Sequence, residues 1–175
     1  YELYQQGLEE DMFCRRGDGP LMKGEVWPGD CHFPDFTKAS VREWWSGLFD
    51  SFVKESGVKG IWNDMNEPAI LEVGTFPMDT RHDYDGHPCS HRKAHNVYGM
   101  QMSRASFHGA KNAMFTQRPF MMTRSGYSGI QRYAATWTGD NLSTWEHLWM
   151  ANIQCQRLSI SGLSFCGSDV GGLIG

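Results

Sequence analysis

Between Ser40 and Ser56, apolar residues fall at Val41, Trp44, Trp45, Leu48, Phe49, Phe52 and Val53. That 3.6-residue period predicts an amphipathic helix, and Gly57 is placed to cap it. The stretch VKGIWND, residues 58–64, then changes period and reads as a buried strand stopping at Asp64. Residues 65–93 carry no period and read as a long loop. From His95 to about Phe115 the helical spacing returns at Val97, Met100, Met102, Ala105, Phe107 and Ala110. Arg118–Pro119 ends that helix. FMMT, residues 120–123, is a short apolar strand stopping at Arg124, and YAATW, residues 133–137, is another before TGDN. Ser143 and Glu146 in STWE form a capping box, opening a helix through about Leu158. GLSFCGSD, residues 162–169, is a last strand stopping at Asp169. Ahead of all these, residues 1–36 are dense in Gly and Pro and read as irregular. The turn GDG there leads into an extended PLMKGEVW.

The order helix, strand, helix, strand, strand, helix, strand argues for a parallel sheet in an α/β fold. One connection is tight. Only about nine residues join FMMT to YAATW, so a one-turn helix in SGYSGIQR has to serve as the crossover. Four strands cannot close a (β/α)8 barrel, which takes eight strands and roughly 250 residues. The expectation is therefore a partial TIM barrel filling residues 1–175, a fragment of one catalytic barrel. An opening without Met also reads as a piece of a longer protein.

Composition narrows the picture modestly. The 175 residues are 40% hydrophobic and 13% aromatic, enough for a real core and against disorder. Net charge is −4 with no basic stripe, so nothing suggests nucleic-acid binding. No apolar run approaches the ~18–20 residues of a membrane span. Five cysteines without a CxxC pair read as mostly free thiols. Seven Trp, six Tyr and ten Phe suit core packing first, and also suit stacking on sugar rings.

Candidate chemistry sits at the strand ends: Asp64, Arg124, Asp140 just past Trp137, and Asp169. Active sites of α/β barrels lie at the C-terminal ends of their strands. A retaining glycosidase needs two carboxylates about 5–5.5 Å apart, one ionised and attacking, the other protonated. Asp64 and Asp140, on alternate strands, are placed to converge. Arg124, on the strand between, could orient sugar hydroxyls and favour an ionised neighbour.

Four motifs in order then carry a resemblance: GEVWPGDCHFPDFT, GIWNDMNEPA, RSGYSGIQRYAATWTGDN and GLSFCGSDVGG. Together they resemble glycoside hydrolase family 31, the α-glucosidase family, over nearly the whole chain. The resemblance implies a fragment covering about barrel strands 4 to 7 with the preceding βα loop. The family's N-terminal β-sandwich and its other strands would lie outside. It implies a retaining α-glucosidase, with Asp64 as nucleophile and Asp140 as general acid/base. It implies a lining of Trp27, Trp62, Arg124, Trp137 and Asp169, with Glu67 supporting the site by hydrogen bonding. It implies an oligosaccharide or α-glucoside substrate and no cofactor or metal. Leu173 departs from the family, which often has Phe just after GG.

NEP also resembles the acid/base motif of retaining β-glycosidases, which would make Glu67 catalytic. That scheme needs a Glu on a later strand, where this chain has Asp169. His82, His87, His91 and His95 suggest zinc, His91 and His95 sharing a helix face, but no companion carboxylate pattern follows. α-Xylosidase and transglucosidase activities share the two Asp residues. A catalytically inactive carbohydrate-binding fragment is the alternative from a different class.

Overall fold

The structure, a computed structural model, describes residues 1–175. Its centre is a four-stranded parallel sheet made from β3 (Gly60–Asn63), β6 (Phe120–Thr123), β7 (Ala135–Trp137) and β8 (Cys166–Gly167), lying side by side in chain order. Trp62 is level with Met122, Met122 with Ala135, and Trp137 with Gly167. The tight connection between β6 and β7 is made by a one-turn 3-10 helix, Ile130–Arg132, whose Ile130 is fully buried. The parallel α/β architecture predicted from the pattern is present.

Residues alternate across the sheet as a two-residue period requires. Ile61 and Met121 point outward into an apolar cluster with Phe49, Val53, Ala110 and Met114. Trp62 points the other way, and this chain leaves it 60% exposed. Helices α3 (Phe49–Ser56) and α4 (His91–Met114) cover the outer face, and α2 (Ala39–Gly47) packs on α4. A second, larger cluster lies beyond them. Met12, Phe33, Phe36, Ile70, Phe76 and Tyr98 pack there, with Phe33 edge-on to Phe76 at 4.9 Å.

Several local expectations need correction. The helix predicted over 40–56 is two segments meeting at Leu48, although Gly57 does cap the second with φ 70° and a bond from its N–H to Val53 O. Residues 1–36 are not irregular throughout. They hold α1 (Glu2–Glu9) and an antiparallel hairpin, β1 (Lys23–Val26) with β2 (Gly29–His32). Tertiary contacts hold that short helix: Tyr4 lies tilted against Phe13, stacks on His32 and bonds it through its hydroxyl at 2.8 Å, and Trp44 donates to Gln6 at 3.1 Å. The long loop contains a small ladder, β4 (Arg81–His82) with β5 (Cys89–Ser90). Helix α4 begins at His91, four residues before the apolar period starts, because the buried residue there is a histidine. The cap of α5 (Trp145–Ile160) is Thr144, whose hydroxyl accepts from His147 N at 3.2 Å. Ser143 instead bonds Ile174 O through both its N–H and its hydroxyl. The last strand is only Cys166–Gly167, so Asp169 lies in the turn beyond it.

Candidate active site

Beyond the C-terminal ends of three strands, one guanidinium gathers three carboxylates. The N–H of Arg124 donates to Asn63 O at 3.1 Å, which carries the β3–β6 ladder one step further and sets Arg124 beside Asp64. Arg124 Nε and Nη2 donate to the two oxygens of Glu67, at 2.9 and 3.0 Å. Nη1 donates to Asp140 Oδ2 at 3.2 Å and lies 3.4 Å from Asp64 Oδ1. Those two carboxylate oxygens are therefore no farther apart than the two contacts laid end to end. That ceiling admits the about 5–5.5 Å that a double displacement uses.

Each group has a local reason for its place. Asp64 Oδ1 accepts from Met65 N at 2.8 Å, which turns the chain sharply as it leaves β3. Asp140 follows Gly139, whose φ of 85° a side chain would strain, and which passes over the Arg124 stem. The side chains of Asp64 and Asp140 are 40% and 43% exposed and that of Arg124 is 19% exposed, so the acids face the open mouth. The bonds from Glu67 chiefly raise the Arg124 guanidinium further above its ordinary value. Burial opposes them, and the charges of Glu67, Asp64 and Asp140 add to the rise.

The remaining predicted lining residues fall into two groups. Trp62 and Trp137 come together across β6, edge to face with centroids 5.5 Å apart. Trp27 stands at the tip of the β1–β2 hairpin and is 79% exposed. Its hairpin leans on the loop after Glu67, where Leu71 N donates to Glu25 O at 3.0 Å. The carboxylate of Asp169 does not join the cluster. Its backbone carbonyl accepts from the Asn141 side chain at 3.2 Å, steadying the residue next to Asp140.

Pattern reading missed a buried polar layer directly beneath these groups. Asn63, Asn66, Ser103, Ser106 and Thr123 are all 3% exposed or less and bonded to one another. The signal was present as hydroxyl and amide residues at positions where α4 and the strand ends should be apolar. Gly99 permits the approach, since a Cβ there would sit 2.6 Å from Asn66 O.

The histidines do not form the suggested four-residue zinc set. His87 is exposed, while His82 and His91 are buried and bonded to each other at 3.0 Å. Cys14, Asp35 and His82 do bring ligand-type atoms close together. Hydrogen bonds already account for the Asp and the His. Asp35 accepts from His82 Nδ1, Thr37 Oγ1, Thr37 N and Asp83 N, and both His82 nitrogens are engaged. The cluster thus reads as scaffolding for the loop. All five cysteines are free. No helix is long and apolar enough to cross a membrane.

Parallel strands alternating with helices, with acids beyond alternate strand ends sharing one arginine, define an α/β-class protein with a carboxylate-rich mouth at the C-terminal ends of its strands. A model of the Glycosyl hydrolases family 31 TIM-barrel domain matches residues 1–173, and the chain belongs to that family. It is 51% identical over 173 residues to "Alpha-glucosidase 2" of Bacillus thermoamyloliquefaciens, covering 98% of this chain and 22% of that protein. The glucosidase II alpha subunit in its alpha3-Glc2-bound structure superposes with a TM-score of 0.91 at 34% identity, covering 100% of this chain and 19% of that one. A family 31 alpha-glucosidase from Bacteroides thetaiotaomicron superposes at 0.80 with 42% identity, covering 98% of this chain and 27% of that one. The chain thus spans about a fifth to a quarter of the length of these relatives.

Proposed function

We propose that this chain is the central part, about strands 4 to 7, of the catalytic barrel of a retaining α-glucosidase. The full-length protein would add the N-terminal β-sandwich and the other strands. The observation that carries this reading is Arg124 Nη1 within 3.4 Å of both Asp64 and Asp140, with Glu67 gripping the same guanidinium. The names of the relatives support glucose as the sugar.

In this reading Asp64 Oδ attacks the anomeric carbon as the glycosidic C–O bond breaks, and Asp140 gives its proton to the departing oxygen. A covalent glycosyl-enzyme results, and its formation inverts the anomeric centre once. Asp140, now ionised, takes a proton from water. The oxygen of that water displaces Asp64 and restores the α configuration. The positive charge that develops on the sugar in both steps is stabilised by the surplus of carboxylate over guanidinium at the mouth. Arg124 opposes that charge, so its value must lie in placing the acids. Trp62 and Trp137 give the ring an apolar floor that helps exclude water.

The test is kinetic, in the full-length protein. Asp64→Ala abolishes hydrolysis of an α-glucoside. Asp140→Ala slows substrates with poor leaving groups far more than activated aryl glucosides, since only the former need the proton. Proton NMR of the first-formed sugar shows the α anomer. Full activity in either variant, or a β product, ends the assignment.

A further inference from the structure

We infer that Asn66 is a positioning residue that sets the relative placement of Asp64 and Arg124, a role that rests on the assignment of Asp64 and Asp140 proposed above. Asn66 lies between Asp64 and Glu67 but points the opposite way, into the protein, and is 2% exposed. Its Oδ1 accepts from Ser125 N at 3.0 Å, and its Nδ2 donates to Thr123 Oγ1 at 2.8 Å. A longer bond runs from Nδ2 to Gly99 O at 3.5 Å. Asn66 therefore holds the residues on both sides of Arg124. The loop after β3 and the loop after β6 are joined twice: inside by this amide, and at the mouth by Glu67 with Arg124.

The chemistry of the inner joint requires an amide. Thr123 Oγ1 gives its proton to Ser125 O at 2.8 Å and also accepts from Ser103 Oγ at 3.0 Å. Its remaining capacity is as an acceptor, so the partner must donate there while accepting from Ser125 N. Asparagine does both; aspartate does only the second. The joint is backed by a directed chain. Trp45 Nε1 donates to Ser106 Oγ, Ser106 to Asn63 Oδ1, Asn63 Nδ2 to Ser103 Oγ, and Ser103 to Thr123. Every donor runs toward the Arg124 loop, an order in which the bonds polarise one another in the same sense. Reorienting one member leaves another unpaired out of water.

A shift of about 1 Å in a catalytic group can cost on the order of 10²-fold in rate. Asn66→Asp and Thr123→Val each remove the Nδ2-to-hydroxyl bond, from opposite sides. Thr123→Ser keeps the hydroxyl. All three are to be made in the full-length protein and assayed on an aryl α-glucoside. Active sites are counted with a covalent glycosyl inactivator, so that turnover is expressed per competent molecule. Asn66→Asp and Thr123→Val are expected to lower kcat per titrated site by about 10²-fold with KM changed less than about threefold. The loss should be similar for good and poor leaving groups, because Arg124 touches both acids. Thr123→Ser should stay near wild type. A purely structural role would lower the titrated fraction and leave turnover per site untouched, and that result overturns the proposal. If Asn66→Asp does not fold, Thr123→Val against Thr123→Ser decides alone. Wild type that fails to cleave the α-glucoside, or an inactivator bound elsewhere than Asp64, defeats the proposed function and this role with it. Wild type that does cleave, labelled at Asp64, leaves that function standing whichever way the variants behave.

Discussion

Arg124 shows how a residue's energetic contribution and its functional one can separate. Its partners are a third to two-fifths exposed, and ion pairs that open to water contribute about 0–1 kcal/mol to stability. Geometry is the larger effect, because a guanidinium grips Glu67 with two parallel bonds and still presents Nη1 to both acids. A lysine keeps the charge and loses the fork. Arg124→Lys is therefore expected to lower kcat/KM by roughly 10²-fold, while thermal melting of the full-length protein moves by no more than a few degrees. A large drop in melting temperature with normal kinetics contradicts this. Asp64, Arg124 and Asp140 were legible in the sequence because each lies at or just past the end of an apolar run. Glu67 was legible only through the motif around it, and that its partner is Arg124 was not legible at all.

At the scale of elements, α4 is bolted to the loop before it by buried polar groups. Asp35 bonds His82, and His82 bonds His91 in the first turn of the helix. Burial first, then the neighbouring His82 and His95, pushes the His91 imidazole down to about 4 from an ordinary 6.5. The unfolded chain thus binds a proton between pH 6.5 and about 4 that the folded one refuses. Stability from this group is complete above pH 6.5 and is lost as pH falls toward 4. Burial works to raise the Asp35 carboxyl, but the bond and charge of His82, with Thr37 and Asp83 N, hold it below its ordinary 3.8, so its own loss comes at lower pH. The melting temperature of the full-length protein should therefore fall between pH 6.5 and 4.5 more steeply than that of His91→Gln. Equal slopes would rule the effect out. Hydrophobic spacing could not show this element boundary, since a buried histidine counts as polar in any periodicity. Helix α1 was missed for a related reason: besides the nearby Phe13 it is held by His32 and Trp44, which are distant in sequence.

At the scale of the molecule, the sheet is covered on one face only. Trp62 is 60% exposed on the other, and α5 leaves Trp145 82% and Trp149 69% exposed. Strands β3 and β8 are unpaired along their outer sides. Such edges and faces favour association over folding. The 175 residues expressed alone are expected to give no cooperative melt and no hydrolysis of an aryl α-glucoside, by calorimetry and by assay. A sharp transition with activity would mean that the chain is complete in itself, and would sink the part-barrel proposal.

By itself the sequence determined helical structure over 40–56, though not its break at Leu48, and the latter part of α4, the four parallel strands and their order, and the acids and arginine at three of the strand ends. These follow from short-range rules: side chains repeat every 3.6 or 2 residues, and a buried strand must stop where charge begins. Only the tertiary structure decided which acids meet. Asp64, Glu67 and Asp140 converge on Arg124, while Asp169 contributes a backbone carbonyl and Trp27 is exposed on its hairpin. The layer beneath them, Asn66 with Thr123 and Ser103, showed in the sequence only as polar residues at positions that should be apolar, with no sign of which bonds which. Its members are far apart in the chain, and each is ordinary by residue type. Burial makes every missing bond there cost about 1–3 kcal/mol, and that cost is what selects one arrangement of the loops.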